Sequence, residues 1–262
     1  MARKCAYCGK EGTFSKEHVW PDCFLKKRDG NFAHYSPVSG KVHGADYVVR
    51  DVCPVCNNQK LSELDAYFCL LNDTYFFKPA GFGEKVHFEY EYDLLTRSLL
   101  KISYNTARSA SGETEPFLGL ISYILEGKTK QNDFAVVAEL VSPSRIRNAD
   151  KTTTVIPPTM YRSALSKLQT PNGEASLLRL VAINSFFFHI VLRRKGASSV
   201  QFGLSVNELL ENVAGTVLMD PGCKSIDLAT SPQDSLSSML PLLQAKHKEY
   251  GNYFRNKKKK KS

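Results

Sequence analysis

No window of this chain approaches the roughly 18 consecutive apolar residues that a membrane-spanning helix needs, and the first residues, MARKCAYC, carry charge with no apolar run behind it. Neither a membrane anchor nor a secretory leader is expected, so the protein reads as soluble and cytoplasmic. There is no glycine-rich phosphate loop and no dinucleotide fingerprint: GKEG at 9–12 is too short, and GFGEK near Gly81 is only a turn. Internal repeats are absent, and the only low-complexity segment is the lysine tail. Tryptophan is reduced to Trp20, which reads as the apolar plug of a small domain, with stacking on a base or sugar as the alternative.

What is present is basic charge and paired cysteine. The net charge of +9 points to a polyanionic partner, although Lys257 to Lys261 supply five of the nine charges and leave four for the rest. That tail reads as a solvated terminus first and as a polyanion contact second. Of seven cysteines, four form two Cys-x-x-Cys pairs, Cys5/Cys8 and Cys53/Cys56. In a cytosolic chain this favours a metal over a disulfide framework. Cys23, Cys69 and Cys223 read as small buried apolar side chains.

The fold class is α+β. Residues 1–72 form a small zinc-stabilised domain, since so few apolar residues cannot bury enough surface unaided. Residues 73–256 form a larger α+β domain of unassigned fold, and 257–262 a basic tail. Short strands are expected near Phe14 to Val19 and near Tyr47 to Val52. A helix starts at Cys56, because Leu61, Leu64, Phe68 and Leu71 recur at three- and four-residue steps. Beyond it, one helix carries Leu94, Leu95, Leu99, Ile102 and Ala107, and a second runs from Pro116 to Gly127. FAVVAELV, TTTVIPP and the run Leu177 to Arg194 read as strand. The stretch from Ser231 to Phe254 reads as a helix interrupted at Pro241.

The two cysteine pairs have the ligand type and spacing of a closed tetrahedral zinc site, with 44 residues between them for a hairpin. CAYCGK looks like a knuckle in which Gly9 allows the tight turn, and the second pair donates its last thiolate from a helix start. Two such halves make a treble-clef arrangement. The hairpin between them carries Glu17-His18, a pair for which a purely structural zinc site has no use.

CAYC, SKEHVWP and VCPVCNNQKLSELD resemble the HNH endonucleases, the ββα-metal nucleases, in the subset braced by a four-cysteine zinc. The resemblance covers about the first quarter of the chain. It implies hydrolysis of DNA phosphodiester bonds, with RNA as a second substrate class, and a setting in restriction or phage defence. It further implies His18 as the base that activates water, Mg²⁺ or Mn²⁺ held by Glu17 and Asn57, and Lys60 on the phosphate. Chemistry agrees: a neutral imidazole takes a proton near neutral pH, and carboxylate and amide oxygens suit a hard cation. Lys16, Arg50, Lys26, Lys27 and Arg28 would touch the nucleic-acid backbone. Asn58 competes with Asn57 for the ligand role. The family's middle asparagine falls at Val48, where Asp46 or His43 would substitute after a shift in register; His34 and His43 otherwise read as loop residues. The larger region is open to DNA reading, a regulatory ligand, or pairing with a second copy. Against the nuclease stands a non-catalytic zinc module that only binds nucleic acid.

Overall fold

The structure is a computed structural model, and it describes residues 3–26, 34–36, 41–43, 47–110, 112–128, 131–159, 161–165 and 175–234. The first segment contains β1 (Ser15–His18), the short helix α1 (Asp22–Lys26), a small hairpin β2 (His34–Ser36) and β3 (Lys41–His43), and β4 (Val48–Val52), which pairs antiparallel with β1. A continuous helical rod follows: wide π turns over Cys56–Leu61, α2 (Ser62–Leu71), then π turns again over Asn72–Phe76. Its apolar face is the expected one, with Leu61, Leu64, Phe68 and Leu71 buried.

After β5 (Lys85–Glu89) comes α3 (Tyr92–Ser109), then two short helices, α4 (Glu115–Leu118) and α5 (Ile121–Glu126). The sequence suggested one helix there; the chain breaks at Gly119 and stops where Gly127 takes a left-handed conformation, φ 68°. The strands are β6 (Phe134–Ser142), β7 (Ser144–Arg147), β8 (Thr153–Ile156), β9 (Tyr161–Leu165), β10 (Ser176–Ile183) and β11 (Phe186–Arg193). The long run from Leu177 is thus a hairpin, turned by Asn184 at φ 50°, which asparagine tolerates better than most residues. Helix α6 (Ser199–Asn212), β12 (Val217–Leu218) and β13 (Ser225–Asp234) complete the described chain.

Seven strands form one sheet in the order β5-β13-β6-β11-β10-β9, with β12 also pairing on β6. Among the described strands only β13 and β6 run parallel. One face, with Phe134, Val136, Leu140, Phe186, Phe188 and Ile190, packs on α3 and the rod; the other carries Val137 and Val191 against Phe202, Val206 and Leu209 of α6. Rings step from the cysteine-rich segment into the sheet: Trp20 to Phe24 at 5.9 Å, Phe24 to Phe68 at 5.5 Å, Phe68 to Phe76 at 5.7 Å, and Phe76 to Phe186 at 4.9 Å. The core is therefore continuous from Cys5 to Leu228.

Three sequence expectations change. Cys23 and Cys69 are joined as a disulfide that ties α1 to α2, and Cys223 is exposed. Ser231 to Asp234 is strand, because Ser142 Oγ and the β6 backbone claim it; the rest of the expected C-terminal helix and the lysine tail lie outside the described residues. Helix α6 was missed, though Ser198 and Gln201 form a capping box at its start.

Phe76 is fully buried and touches four other rings, so Phe76→Ala should destabilise the protein by about 3 to 5 kcal/mol in urea denaturation, in a single transition that takes both the cysteine-rich segment and the sheet.

Candidate metal centre

The first cysteine pair sits in a tight turn. Gly9 N–H donates to Cys5 O at 2.9 Å, Cys5 N–H donates to Lys10 O at 2.9 Å, and Gly9 adopts φ 70°, which a residue with a Cβ adopts only under strain. The second pair brackets the turn from β4 into the rod, where Asn57 N–H donates to Cys53 O at 2.9 Å. The four Sγ atoms of Cys5, Cys8, Cys53 and Cys56 lie within 4.8 Å of one another, and Cys8 and Cys53 are 3.7 Å apart. Zn–S bonds of about 2.3 Å in a tetrahedron place sulfurs about 3.8 Å apart, so the cluster fits zinc.

The surroundings act on the sulfurs unequally. Burial and the neighbouring sulfurs push the Cys56 thiol well up. For Cys5 burial acts upward too, but backbone N–H groups of Cys53, Cys8 and Tyr7 outweigh it and bring the thiol down to about 7. Four thiolates do not stand together without positive charge between them. Cys53 N–H also points at Cys5 Sγ at 3.3 Å, an outer bond that orients the ligand.

This frame fixes a hairpin. Ala6 N–H donates to Asp51 O, and Val19 N–H to Tyr47 O, each at 2.9 Å. In β1 and β4, Glu17 pairs with Val49 and His18 with Val48 across an irregularity after Ser15. From the rod, the Asn57 amide donates to Ser15 Oγ and to Lys16 O, both at 2.8 Å. Asn57, not Asn58, thus meets the strand beside the acid-histidine pair; Asn58 is exposed, and its carbonyl accepts from Ser62 Oγ. His18 is half-buried on the opposite side of the strand from Glu17. Trp20 is the plug, packed on Phe24 and Tyr161.

Glu17 departs from the role the resemblance implied. Its side chain is 1% exposed, and its carboxylate sits 2.5 Å from the Lys101 ammonium of α3, which lies equally close to Asp65 of α2. Burial pushes the Glu17 carboxyl up and Lys101 opposes it. Burial lowers Lys101, but Asp65 and Glu17 overcome that and hold its ammonium above the usual value. Asn105 extends the cluster: Tyr7 hydroxyl donates to its Oδ1 at 2.7 Å and Arg108 at 2.6 Å, while Arg108 also meets Asp51 at 2.5 Å. A carboxylate so enclosed does not face solvent beside Asn57, and the pair does not present Mg²⁺ or Mn²⁺ with two open oxygen ligands. The catalytic cation expected from sequence does not fit the residues as they stand.

The remaining candidates divide. Lys60 is paired with Glu126 of α5, with its side chain 34% exposed, so its ammonium is not an unpartnered phosphate grip. Lys16 and Arg50 are exposed on β1 and β4. Lys26 ends α1, and neither its side chain nor Lys27, Arg28 and Asp46 fall among the described residues. His34 and His43 pair in the β2–β3 hairpin. Val48 faces His18 across the ladder, and being apolar it cannot make the hydrogen bond that an asparagine would make there. Lys101, Asp65 and Asn105 went unread because no motif links residues 84 positions apart; the available signal was the number of polar side chains, Lys101 and Asn105 among them, spread round every side of α3.

Comparison of the chain with protein-family models, curated proteins and solved structures gives no match.

Two outcomes follow from this geometry. The purified protein should carry one zinc per chain by elemental analysis, and its removal with a strong chelator, or Cys56→Ser, should lower the thermal midpoint and expose β1 and β4 to hydrogen exchange. Lys101→Met should cost about 3 to 5 kcal/mol by denaturation, since it strands a buried carboxylate. The double variant Lys101→Met/Glu17→Gln should recover part of that loss.

Proposed function

We propose that the protein is a nucleic-acid phosphodiesterase of the HNH type, in which the knuckle, the β1–β4 hairpin and the following helix form a zinc-braced treble-clef, ββα-metal arrangement. The observation that carries this reading is Asn57: a residue one position beyond the last zinc ligand reaches across to Ser15 and Lys16, so the metal centre sets the strand that presents His18. A zinc site serving stability alone has no need to aim a histidine.

In this reading His18 is the general base that takes the proton from the attacking water. Lys16 and Arg50 flank it on neighbouring strands and draw the phosphate to it as point charge and guanidinium. Glu17, held from beneath by Lys101, positions the strand and not the substrate. DNA is the proposed substrate class. The enclosed state of Glu17 favours one alternative, a zinc module that binds nucleic acid without cutting it.

Plasmid DNA and a single-stranded RNA are incubated with wild type and with His18→Ala, with chelator, Mg²⁺ or Mn²⁺ in separate arms. Wild type should cut, and zinc-replete His18→Ala should lose on the order of 100-fold or more in rate. Equal rates for the two proteins, or binding without cutting in every arm, would sink the nuclease reading.

A further inference from the structure

Strands β7 and β8 stand apart from the main sheet as a two-stranded ribbon, and nearly all of it lies in water. Isolated hairpins are marginal by themselves, yet this one is tightly organised at its tip. Asn148 donates to the hydroxyls of Thr152 and Thr154 at 2.9 Å, Asp150 accepts from Thr152 N–H at 3.0 Å, and Lys151 turns the chain at φ 68°. Such order in an exposed ribbon calls for a function outside the core.

Its chemistry is one-sided. Arg145 lies opposite Val155 and Arg147 opposite Thr153, so both guanidinium groups project from one face, two residues apart. Two residues advance about 6.6 Å along a strand, close to the advance of two phosphates along one DNA strand. Arg145 is braced over the Phe82 ring at 4.0 Å, and Arg147 has no ion-pair partner among the described residues. With Lys151 at the tip, only Asp150 is negative, and it is bound to Thr152. Val155, 51% exposed, adds an apolar spot beside Arg145.

The chain leads from the end of the ribbon back to the segment that holds His18. Four residues lie between Ile156 and Tyr161, a span of at most about 18 Å, and Tyr161 packs on Trp20 and Phe24. Trp20 is two residues past His18.

We infer that the β7–β8 ribbon is a docking arm for duplex DNA, with Arg145 and Arg147 on phosphates two steps apart along one strand and the ribbon lying along the major groove. That groove admits a two-stranded ribbon, whereas the deep, narrow major groove of duplex RNA does not. This rests on the nucleic-acid reading above but not on cleavage.

The test is binding of a 20-base-pair DNA duplex and the same sequence as duplex RNA, by fluorescence anisotropy across a salt series without divalent cations, in parallel with the plasmid assay. The proteins are wild type, Arg145→Ala/Arg147→Ala, and Lys195→Ala/Lys224→Ala, which removes equal charge from exposed positions elsewhere. Expected for the ribbon variant is a tenfold or greater loss of DNA affinity and a slope of log K against log salt shallower by about 1 to 2, with an unchanged thermal midpoint and no such loss in the control. Wild-type binding with an unaltered ribbon variant overturns the arm and leaves the nuclease reading intact, as does equal loss in the control. Equal or tighter binding of duplex RNA overturns the commitment to DNA. Absence of binding to either duplex overturns the arm and removes support from the nuclease reading together. Binding through the ribbon without cleavage supports the arm while the nuclease reading fails.

Discussion

The buried ammonium of Lys101 is the interaction on which the arrangement turns. It joins three segments far apart in sequence: β1 through Glu17, α2 through Asp65, and α3, which carries it. Enclosing such a group is unfavourable unless its partners are close and complete, and here two carboxylates within 2.5 Å supply that. Hydrophobic contacts alone tolerate sliding; a charge with two fixed partners does not. The register of β1 against β4, and hence the face on which His18 emerges, is set by where Glu17 must reach.

Helix α3 repeats this pattern along its length. Arg97 donates to the carbonyls of Ile124 and Leu125 that end α5, Ser98 to Leu64 O, and Ser103 accepts from Arg179 of β10. Nearly every residue from Leu95 to Ala107 is buried, although the helix is polar on several sides. Between them these polar groups answer β1, α2, α5 and β10, so α3 is wrapped by the rest of the chain and acts as its common axis.

How much of this was legible follows from distance along the chain. The cysteine pairs, the hairpin strands, the rod from Cys56 and α3 were read because their signals are local: ligand spacing, alternation, or apolar residues at helical steps. Lys101 was not, since a lysine within a helical pattern normally marks the solvent side, and only the folded chain brings Glu17 and Asp65 to it. The Cys23–Cys69 pairing was missed for the same reason; nothing in the spacing says that α1 will lie on α2. The Ser231 segment was misread because its leucine spacing continues past Asp234, whereas the edge of β6 decides the matter in favour of strand. Glu17 shows the limit of motif reading at the site itself: the residue type was right for a hard cation, but its surroundings give it other work.

Strand β13 lies between β5 and β6, and β5 has no other partner in the sheet among the described residues. Phe88 of β5 packs on Phe76, which in turn packs on the phenylalanine that continues the rod. A ribosome makes β5 long before β13, so β5 waits without its sheet partner while everything between them is made. The cysteine-rich segment gains this part of its backing only when residues near 230 have emerged. A chain cut short before that point would carry His18 on a frame whose edge strand β5 has no neighbour to pair with.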